Sequence, residues 1–275
     1  MTPPLGLGHF TFLDQDPVSL VRLARQSGFD FVGLRFHPAA RGQLHWLPDA
    51  GGMAELAAAM SGEGIGLYDI ETVVIDGAFD PAAILPALDA AARLGARRLN
   101  TCADAFPALA ETFARLCALA GERGMDVDIE CMAWRGINCP EKCRTLIDQS
   151  GAANAGFLVD ALHLIRCGGS PSSLAGFAQG QIRSAQLSDA SLRRPDTREA
   201  LIAEARGGRL LPGEGGLPLR DIVAALPEGT TISVEIPSAS DRRPPLDRAL
   251  AIHRATAALF LGAQPSPTVP ERSEQ

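Results

Sequence analysis

The stretch that decides the fold runs from Met-Asp-Val-Asp-Ile-Glu (125–130) through Pro-Glu-Lys-Cys-Arg-Thr-Leu-Ile-Asp-Gln (140–149) to Gly-Phe-Leu-Val-Asp (156–160). The first and last segments are short apolar runs typical of buried strands, and the middle segment has the apolar spacing of a helix. A strand, a helix and a second strand in this order form a βαβ unit with parallel strands. Both strand-like runs end on an acid, which is costly to bury unless the strand opens there into a polar cavity or onto a cation.

The same alternation repeats along the whole chain. We predict strands at residues 6–12, 31–36, 66–74, 97–102, 125–130, 156–160, 182–187 and 231–236. We predict helices at residues 17–27, 49–61, 81–94, 107–123, 140–149, 172–178, 218–226 and 246–261. Eight strands alternating with eight helices predict a closed (β/α)8 TIM barrel of the α/β class. The length of 275 residues suits one such domain, which needs roughly 250 residues.

The predicted single domain covers residues 1–263. The remaining segment, 264–275, is rich in proline and polar residues, and we expect it to be a disordered tail. A doubly wound open sheet is the alternative fold, but no Gly-x-Gly-x-x-Gly follows the first predicted strand. The longest irregular segment, 188–216, follows the seventh strand and is expected over the mouth of the barrel.

The net charge and the hydropathy of the chain disfavour nucleic acids and membranes as partners. The net charge of -7 and the pI near 5.3 disfavour a nucleic-acid partner, because such a surface does not attract phosphate backbones. No apolar run reaches the roughly 20 residues of a membrane span, and the amino terminus lacks the blocks of a signal peptide. We therefore expect a cytoplasmic protein with a small-molecule substrate and no membrane partner. The sequence leaves open whether it is a monomer or a homodimer.

The lysine and cysteine content disfavours Schiff-base enzymes and proteins held by disulfides or structural zinc. The only lysine, Lys142, falls in a predicted helix, which disfavours Schiff-base chemistry because that chemistry needs a lysine projecting into the site. The six cysteines include no Cys-x-x-Cys pair, so the sequence gives little support to a disulfide framework or a structural zinc site.

The fifth to eighth predicted strands each carry, at the last or next-to-last position, a side chain that can offer an oxygen to a metal: Glu130, Asp160, Gln186 and Glu235. Strand ends of a (β/α)8 barrel converge on one mouth, and three carboxylates that close repel each other unless a divalent cation lies between them. An all-oxygen set favours Mn²⁺ or Mg²⁺, with Co²⁺ or Zn²⁺ as alternatives. Each acid alone could instead cap a helix or pair with an arginine.

Other polar residues are predicted near the same mouth. His163 follows Asp160 by three residues, so the two share a face if the chain turns helical there, and a histidine suits proton transfer at neutral pH. The alternative is a histidine that donates to a loop carbonyl. Arg35 and His37 follow the second strand and are candidate substrate-binding residues. Glu71 on the third strand either joins the site or forms a salt bridge beneath it.

A glycine-rich segment at residues 204–219 is a second candidate binding region. Glycines let the backbone approach a ligand closely, and Arg206 and Arg209 offer paired donors to a carboxylate or phosphate. Asp189 is placed to orient a ligand or these arginines. The alternative is a surface loop with solvated charges.

These motifs resemble the xylose isomerase-like barrels grouped as sugar phosphate isomerases and epimerases. That family includes ketose epimerases, inosose and 3-dehydroshikimate dehydratases, and endonuclease IV. The matching motifs are Asp-Ile-Glu130, Val-Asp160-Ala-Leu-His163, Ala-Gln186-Leu-Ser-Asp189, Arg-Leu-Leu-Pro-Gly-Glu-Gly-Gly (209–216) and Ser-Val-Glu235. The resemblance implies that Glu130, Asp160 and Glu235 bind a divalent metal and that His163 lies beside the substrate. A glutamine such as Gln186 replaces the usual histidine ligand and looks like the dehydroshikimate dehydratase branch.

The resemblance and the residues together predict an enzyme. We expect a divalent-metal-dependent isomerase or epimerase that removes a proton next to a carbonyl of a small, polyhydroxylated, anionic substrate, with Glu130, His163 and Glu235 as catalytic residues. A dehydratase (lyase) that uses the same site is the main alternative. An endonuclease IV-like phosphodiesterase and a non-catalytic binding barrel are the remaining ones.

Overall fold

The barrel is closed, and its eight strands are parallel. The computed structural model describes residues 2–40 and 42–261. The strands pair in chain order, and the eighth closes on the first. They are β1 Leu5–Leu7, β2 Phe31–Leu34, β3 Gly66–Ile75, β4 Arg98–Ala103, β5 Asp126–Glu130, β6 Ala155–Asp160, β7 Ile182–Leu187 and β8 Thr231–Val234. The predicted (β/α)8 TIM barrel with a single domain is confirmed.

Helices connect the strands. In the described part of the chain they are α1 Pro17–Ser27, α2 Ala50–Glu63, α3 Leu85–Arg93, α4 Leu109–Gly121, α5 Pro140–Ser150, α6 Ala161–Arg166, α7 Arg198–Gly207, α8 Leu219–Ala225 and α9 Pro245–Ala258. Short 3-10 helices lie at His9–Phe12, Pro81–Ile84 and Pro171–Gly176. Helix α1 shows the expected boundary signals: Asp16 caps its first turn, Pro17 is its first residue, and Gly28 ends it in the left-handed region at φ 92°.

The first predicted strand, 6–12, is wrong in its second half. Strand β1 ends at Leu7, where the Gly8 N–H donates to the Val234 carbonyl at 3.0 Å. The chain then turns into a 3-10 helix, with the Thr11 N–H donating to the Gly8 carbonyl at 3.1 Å. The residues that resembled a strand lie in this turn instead, where the His9 ring bonds to the Gln15 carbonyl at 2.9 Å and accepts the Arg35 N–H at 3.0 Å.

The prediction of an irregular segment at 188–216 is also wrong, because α7 lies within it. Thr197 caps α7 by accepting the Ala200 N–H at 3.1 Å. The short helix α6 was not predicted either. It begins directly after Asp160, whose carboxylate accepts the His163 N–H at 2.8 Å and so caps the helix.

The predicted disordered tail at 264–275 lies outside the described residues. No helix in 2–40 or 42–261 has the length and apolar character that crossing a membrane requires.

A buried polar layer lies inside the barrel beneath the ends of the strands. Arg98 on β4 pairs with Asp128 on β5, and the Ser184 hydroxyl donates to the same carboxylate at 2.6 Å. Asn100 donates to Asp69 at 3.2 Å. Burial raises the pKa of Asp69 to about 7, although the hydrogen bond from Asn100 opposes the shift. This layer forms a floor, because Glu71, Glu130 and Gln186 lie two residues beyond Asp69, Asp128 and Ser184 on the same strands.

Candidate metal and substrate site

A cavity opens at the carboxyl ends of the strands, where the active sites of such barrels lie. The loops that follow β1, β2 and β5 and the end of α7 complete its wall. Its polar and aromatic lining residues include Phe10, Arg35, Glu130, Trp134, Arg135, His163, Arg206, Arg209 and Glu235. Six of the residues that the sequence suggested for the site line this cavity: Arg35, Glu130, His163, Arg206, Arg209 and Glu235.

Three side chains in this region form a tight group. Glu130 ends β5, Asp160 ends β6, and His163 lies in the first turn of α6; all three are buried. One potential ligand atom from each lies within 4.8 Å of the other two. Among the described residues this is the one group of three or more histidine, cysteine or acidic side chains with such spacing. Helix α6 brings the three side chains together. Asp160 at the end of β6 caps this helix, so the first turn of α6 places His163 close to the strand end.

Arg209 lies among the same carboxylates. Its Nη1 is 2.5 Å from Oδ2 of Asp160, and its Nη2 is 2.9 Å from Oε2 of Glu235. Its Nε donates to the carbonyl of Ala205 at 3.0 Å, which fixes the guanidinium to the end of α7. Arg209, which the sequence suggested for substrate binding, therefore supplies the positive charge that holds two of the predicted metal ligands.

The contact of Arg209 with His163 determines which nitrogen of the His163 ring carries the proton. Nη2 of Arg209 lies 3.3 Å from Nε2 of His163, and a guanidinium can only donate. Nε2 therefore accepts, and the proton of the neutral ring lies on Nδ1, which has no hydrogen-bond partner. Burial lowers the pKa of His163 to about 4, even though Asp160 opposes the shift, so the ring is neutral at pH 7.

Burial also dominates the protonation of the acids. It raises the pKa of Glu130 well above the ordinary value, and the charges of Asp160 and Glu235 add to the shift. It raises the pKa of Glu235 to about 8, against the opposing charge of Arg209. Asp160 is the exception: burial opposes its ionisation, but the charge of Arg209 leaves its pKa below the ordinary value. The acids of the site thus lack enough positive charge to be ionised together.

The donor set fits a divalent cation. Oε1 of Glu130 is buried without a hydrogen-bond partner and lies 3.8 Å from Nε2 of His163. Ligand atoms that share one ion lie about 3–4.5 Å apart, because each bond to the ion is about 2.0–2.3 Å long. The potential ligand atoms of Glu130, Asp160 and His163 are therefore close enough to share one ion, and such an ion would take the Nε2 lone pair of His163 that accepts from Arg209 in the metal-free protein. This core contains a nitrogen, so it differs from the predicted all-oxygen set and suits zinc as well as manganese.

Gln186 lies next to this core but faces Glu71. Strands β6 and β7 pair so that Asp160 lies opposite Gln186. Nε2 of Gln186 is 3.5 Å from Oε2 of Glu71, and Oε1 of Glu71 accepts the Phe10 N–H at 2.8 Å. Glu71 therefore contacts Gln186 across the barrel, and neither is among the described residues that line the cavity.

Asp189 anchors the glycine-rich loop after α7. Its carboxylate accepts the backbone N–H groups of Ala190, Gly213, Gly215 and Leu217 at 2.8–3.0 Å. Its own backbone exchanges hydrogen bonds with Leu210. The predicted role in orienting the arginines is thus indirect: Asp189 holds the loop that directly follows Arg209.

The remaining candidates differ in exposure. Arg35 is buried and lines the cavity, whereas Arg206 lines it from an exposed position. His37 is half-buried, lies outside the set of described residues that line the cavity, and has a buried Nδ1 without a hydrogen-bond partner. Burial lowers the pKa of His37.

Sequence reasoning missed two residues of the loop after β5. The Trp134 ring packs edge-on against the His163 ring, with centroids 5.1 Å apart. Arg135 lines the cavity and pairs with Asp104 at 2.9 Å. The available signal was their position, because both lie shortly after a strand that ends on a candidate catalytic acid.

The chain belongs to the xylose isomerase-like TIM barrel family, which residues 21–256 match. A curated relative is the 3-dehydroshikimate dehydratase of Pseudomonas aeruginosa, which is 32% identical over 129 residues. That match covers 46% of this chain and 20% of the relative, so the chain corresponds to about a fifth of that protein.

Solved structures share the fold. The IolI protein, whose structure holds a bound zinc atom, superposes with a TM-score of 0.79 at 15% identity and covers 94% of this chain and 98% of its own. The D-allulose 3-epimerase of Methylomonas sp. has a TM-score of 0.67 at 15% identity, with 94% and 95% coverage. The family thus contains epimerases and a dehydratase.

Proposed function

We propose that the protein is a metal-dependent enzyme that removes a proton from the carbon next to a carbonyl of a small polyhydroxylated substrate. The observation that carries the proposal is the buried group of Glu130, Asp160 and His163, of which Glu130 and His163 line the cavity. These residues would hold a divalent ion, with Glu235 and Gln186 on the neighbouring strands. When bound, such an ion polarises a substrate carbonyl and lowers the pKa of the adjacent carbon.

Glu130 is the proposed base. Its Oε1 has no hydrogen-bond partner, whereas Glu235 is held by Arg209 at 2.9 Å. A cation bound beside Glu130 would keep this carboxylate ionised, and the raised pKa makes the ionised form a stronger base. Neutral His163 keeps an N–H on Nδ1 without a hydrogen-bond partner, and this group would donate to a leaving or neighbouring oxygen.

Dehydration is the outcome we favour. In this reaction the carbon loses a proton, the bond from the β carbon to its hydroxyl breaks, and a proton joins the leaving oxygen to form water. The relative with 32% identity is a 3-dehydroshikimate dehydratase, and Gln186 agrees with the pattern that resembles this branch.

Isomerisation or epimerisation is the second candidate, and Glu235 favours it. Glu130 on β5 and Glu235 beyond β8 both line the cavity, so two acids face it from different directions. Burial raises the pKa of Glu235 to about 8, so it is protonated at neutral pH and can return a proton to the carbon.

The test is a reaction of the purified protein, with and without Mn²⁺ or Zn²⁺, in deuterated water. Substrates are 3-dehydroshikimate, an inosose and D-allulose. Loss of water from 3-dehydroshikimate leaves an aromatic ring and gives new ultraviolet absorbance. Deuterium on carbon without loss of water indicates isomerisation or epimerisation. Neither product nor deuterium incorporation with any substrate and metal would refute the proposal.

A further inference from the structure

Arg35 lies in the cavity as a buried arginine without an acidic partner. Its side chain follows β2, is 4% exposed, and lies over the Phe10 ring at 4.3 Å. Its Nε has no hydrogen-bond partner, and no described residue forms an ion pair with its guanidinium within 4.0 Å.

The other arginines of the cavity are engaged or exposed. Arg209 is paired with two acids of the site, and Arg135 is paired with Asp104 at 2.9 Å. Arg206 lies exposed at the rim. The buried charge that remains open to a ligand, among the described residues of the cavity wall, is therefore that of Arg35.

The two acids whose charges act on Arg35, Glu71 and Glu235, form no ion pair with it. Glu71 is near enough for its charge and that of Arg35 to interact, but Oε1 of Glu71 accepts the Phe10 N–H, and Oε2 faces Gln186. The aromatic face of Phe10 compensates part of the desolvation of the guanidinium. An unpaired buried charge is otherwise costly, and a ligand oxyanion recovers that free energy.

The backbone holds Arg35 in place. Its N–H donates to Nδ1 of His9 at 3.0 Å, and its carbonyl accepts the Trp46 N–H at 2.8 Å. Burial lowers the pKa of His9 to about 4, so this histidine stays neutral and keeps its acceptor at neutral pH. The fixed backbone and the packing of the guanidinium over the Phe10 ring limit the freedom that the side chain can lose on binding, which favours a specific contact.

We propose that Arg35 binds a carboxylate of the substrate and makes this barrel selective for polyhydroxylated carbonyl compounds that carry one. The inference rests on the proposed function and adds its substrate class. One planar guanidinium matches the two oxygens of a carboxylate in a paired contact. Arg35 follows β2, and the group of Glu130 and Asp160 lies on β5 and β6, across the barrel. The carboxylate and the reacting carbonyl would therefore occupy opposite sides of the cavity.

The experiment measures binding without turnover. Calorimetry of the Mn²⁺-loaded protein compares shikimate, which lacks the carbonyl, with its neutral methyl ester, and myo-inositol with myo-inositol 1-phosphate. We expect shikimate to bind about 10- to 100-fold more tightly than the ester. In Arg35→Met this ratio should fall to about 3-fold or less, while exposed Arg25→Met on α1 should keep it. Arg35→Lys, which keeps the charge but not the planar pair of donors, should give an intermediate ratio.

Several results would overturn the inference. One is an unchanged ratio in Arg35→Met; another is a wild-type preference for the phosphate over shikimate. If Arg35→Met fails to fold by circular dichroism, an unchanged ratio in Arg35→Lys refutes the paired contact. The proposed function fails separately. Selective shikimate binding without turnover of any substrate would refute the proposed enzyme activity but not the role of Arg35. Turnover of neutral sugars that is unchanged in Arg35→Met would refute the role of Arg35 but not the enzyme activity.

Discussion

Replacing Arg209 with methionine should destabilise the metal-free protein strongly. The guanidinium is 2% exposed and pairs with both Asp160 and Glu235. Methionine fills much of the space but leaves two buried acids without their cation. Removing one partner of a buried ion pair typically costs about 3–5 kcal/mol, because the other charge stays buried. We expect a loss of this size at pH 8, measured by urea unfolding followed by circular dichroism.

A divalent ion should offset part of this loss. Both the ion and Arg209 supply positive charge to the same carboxylates, so the ion should stabilise Arg209→Met more than the wild type. At a concentration of about 100 Kd, an ion that binds only the folded state adds about 2.7 kcal/mol. The same unfolding series with saturating Mn²⁺ gives the difference.

The matched control is Arg206→Met on the same helix. Arg206 is exposed and forms no ion pair with a described residue, so its stability should change by less than about 0.5 kcal/mol. Equal stabilisation of Arg209→Met and the wild type by Mn²⁺ would refute the view that Arg209 and the ion share these acids.

Three further predictions follow from the geometry. Glu130→Gln should lower turnover by at least about 100-fold while the protein stays folded, because the base is lost; activity within 10-fold of wild type would exclude Glu130 as the base. Metal-free protein should lose stability between pH 6.5 and 8, since folded Glu235, with its pKa raised to about 8, still holds a proton that the unfolded chain has released above about 4.5. His163, with its pKa lowered to about 4, changes stability in the opposite direction, but only below about pH 6.5. A stability that does not change between pH 6.5 and 8 in the wild type would contradict the raised pKa of Glu235. An equally large fall in Glu235→Gln would contradict it too. Asp189→Ala should cost at least about 2 kcal/mol by urea unfolding, because four backbone N–H groups lose their acceptor, and Asp189→Asn should cost less; a neutral Asp189→Ala would show that the loop does not depend on this carboxylate.

The positions of the strand-end acids were predictable because they depend on local pattern. Glu130 and Asp160 each end an apolar run, and parallel strands in chain order bring such ends together. Alternation along the chain was enough to predict the closed barrel. Neither inference needed knowledge of how any side chain packs.

The side-chain partners within the site depend on three-dimensional detail that no linear pattern contains. His163 joins Glu130 and Asp160 because α6 begins at the residue that caps it, and this six-residue helix is too short to give a clear period. Arg209 reaches the acids because a helix lies where a loop was predicted. Arg35 has no acidic partner because the oxygens of Glu71 bond elsewhere. One of them accepts the Phe10 N–H, which is available because β1 ends at Leu7.

The central claim is that one divalent ion binds the group formed by Glu130, Asp160 and His163. Anomalous diffraction at the manganese edge, from crystals grown with Mn²⁺ at pH 8, tests it most directly. We expect one strong peak about 2.0–2.3 Å from an oxygen of each acid and from Nε2 of His163. No peak in the cavity at saturating Mn²⁺, or a peak bound by other residues, would contradict it.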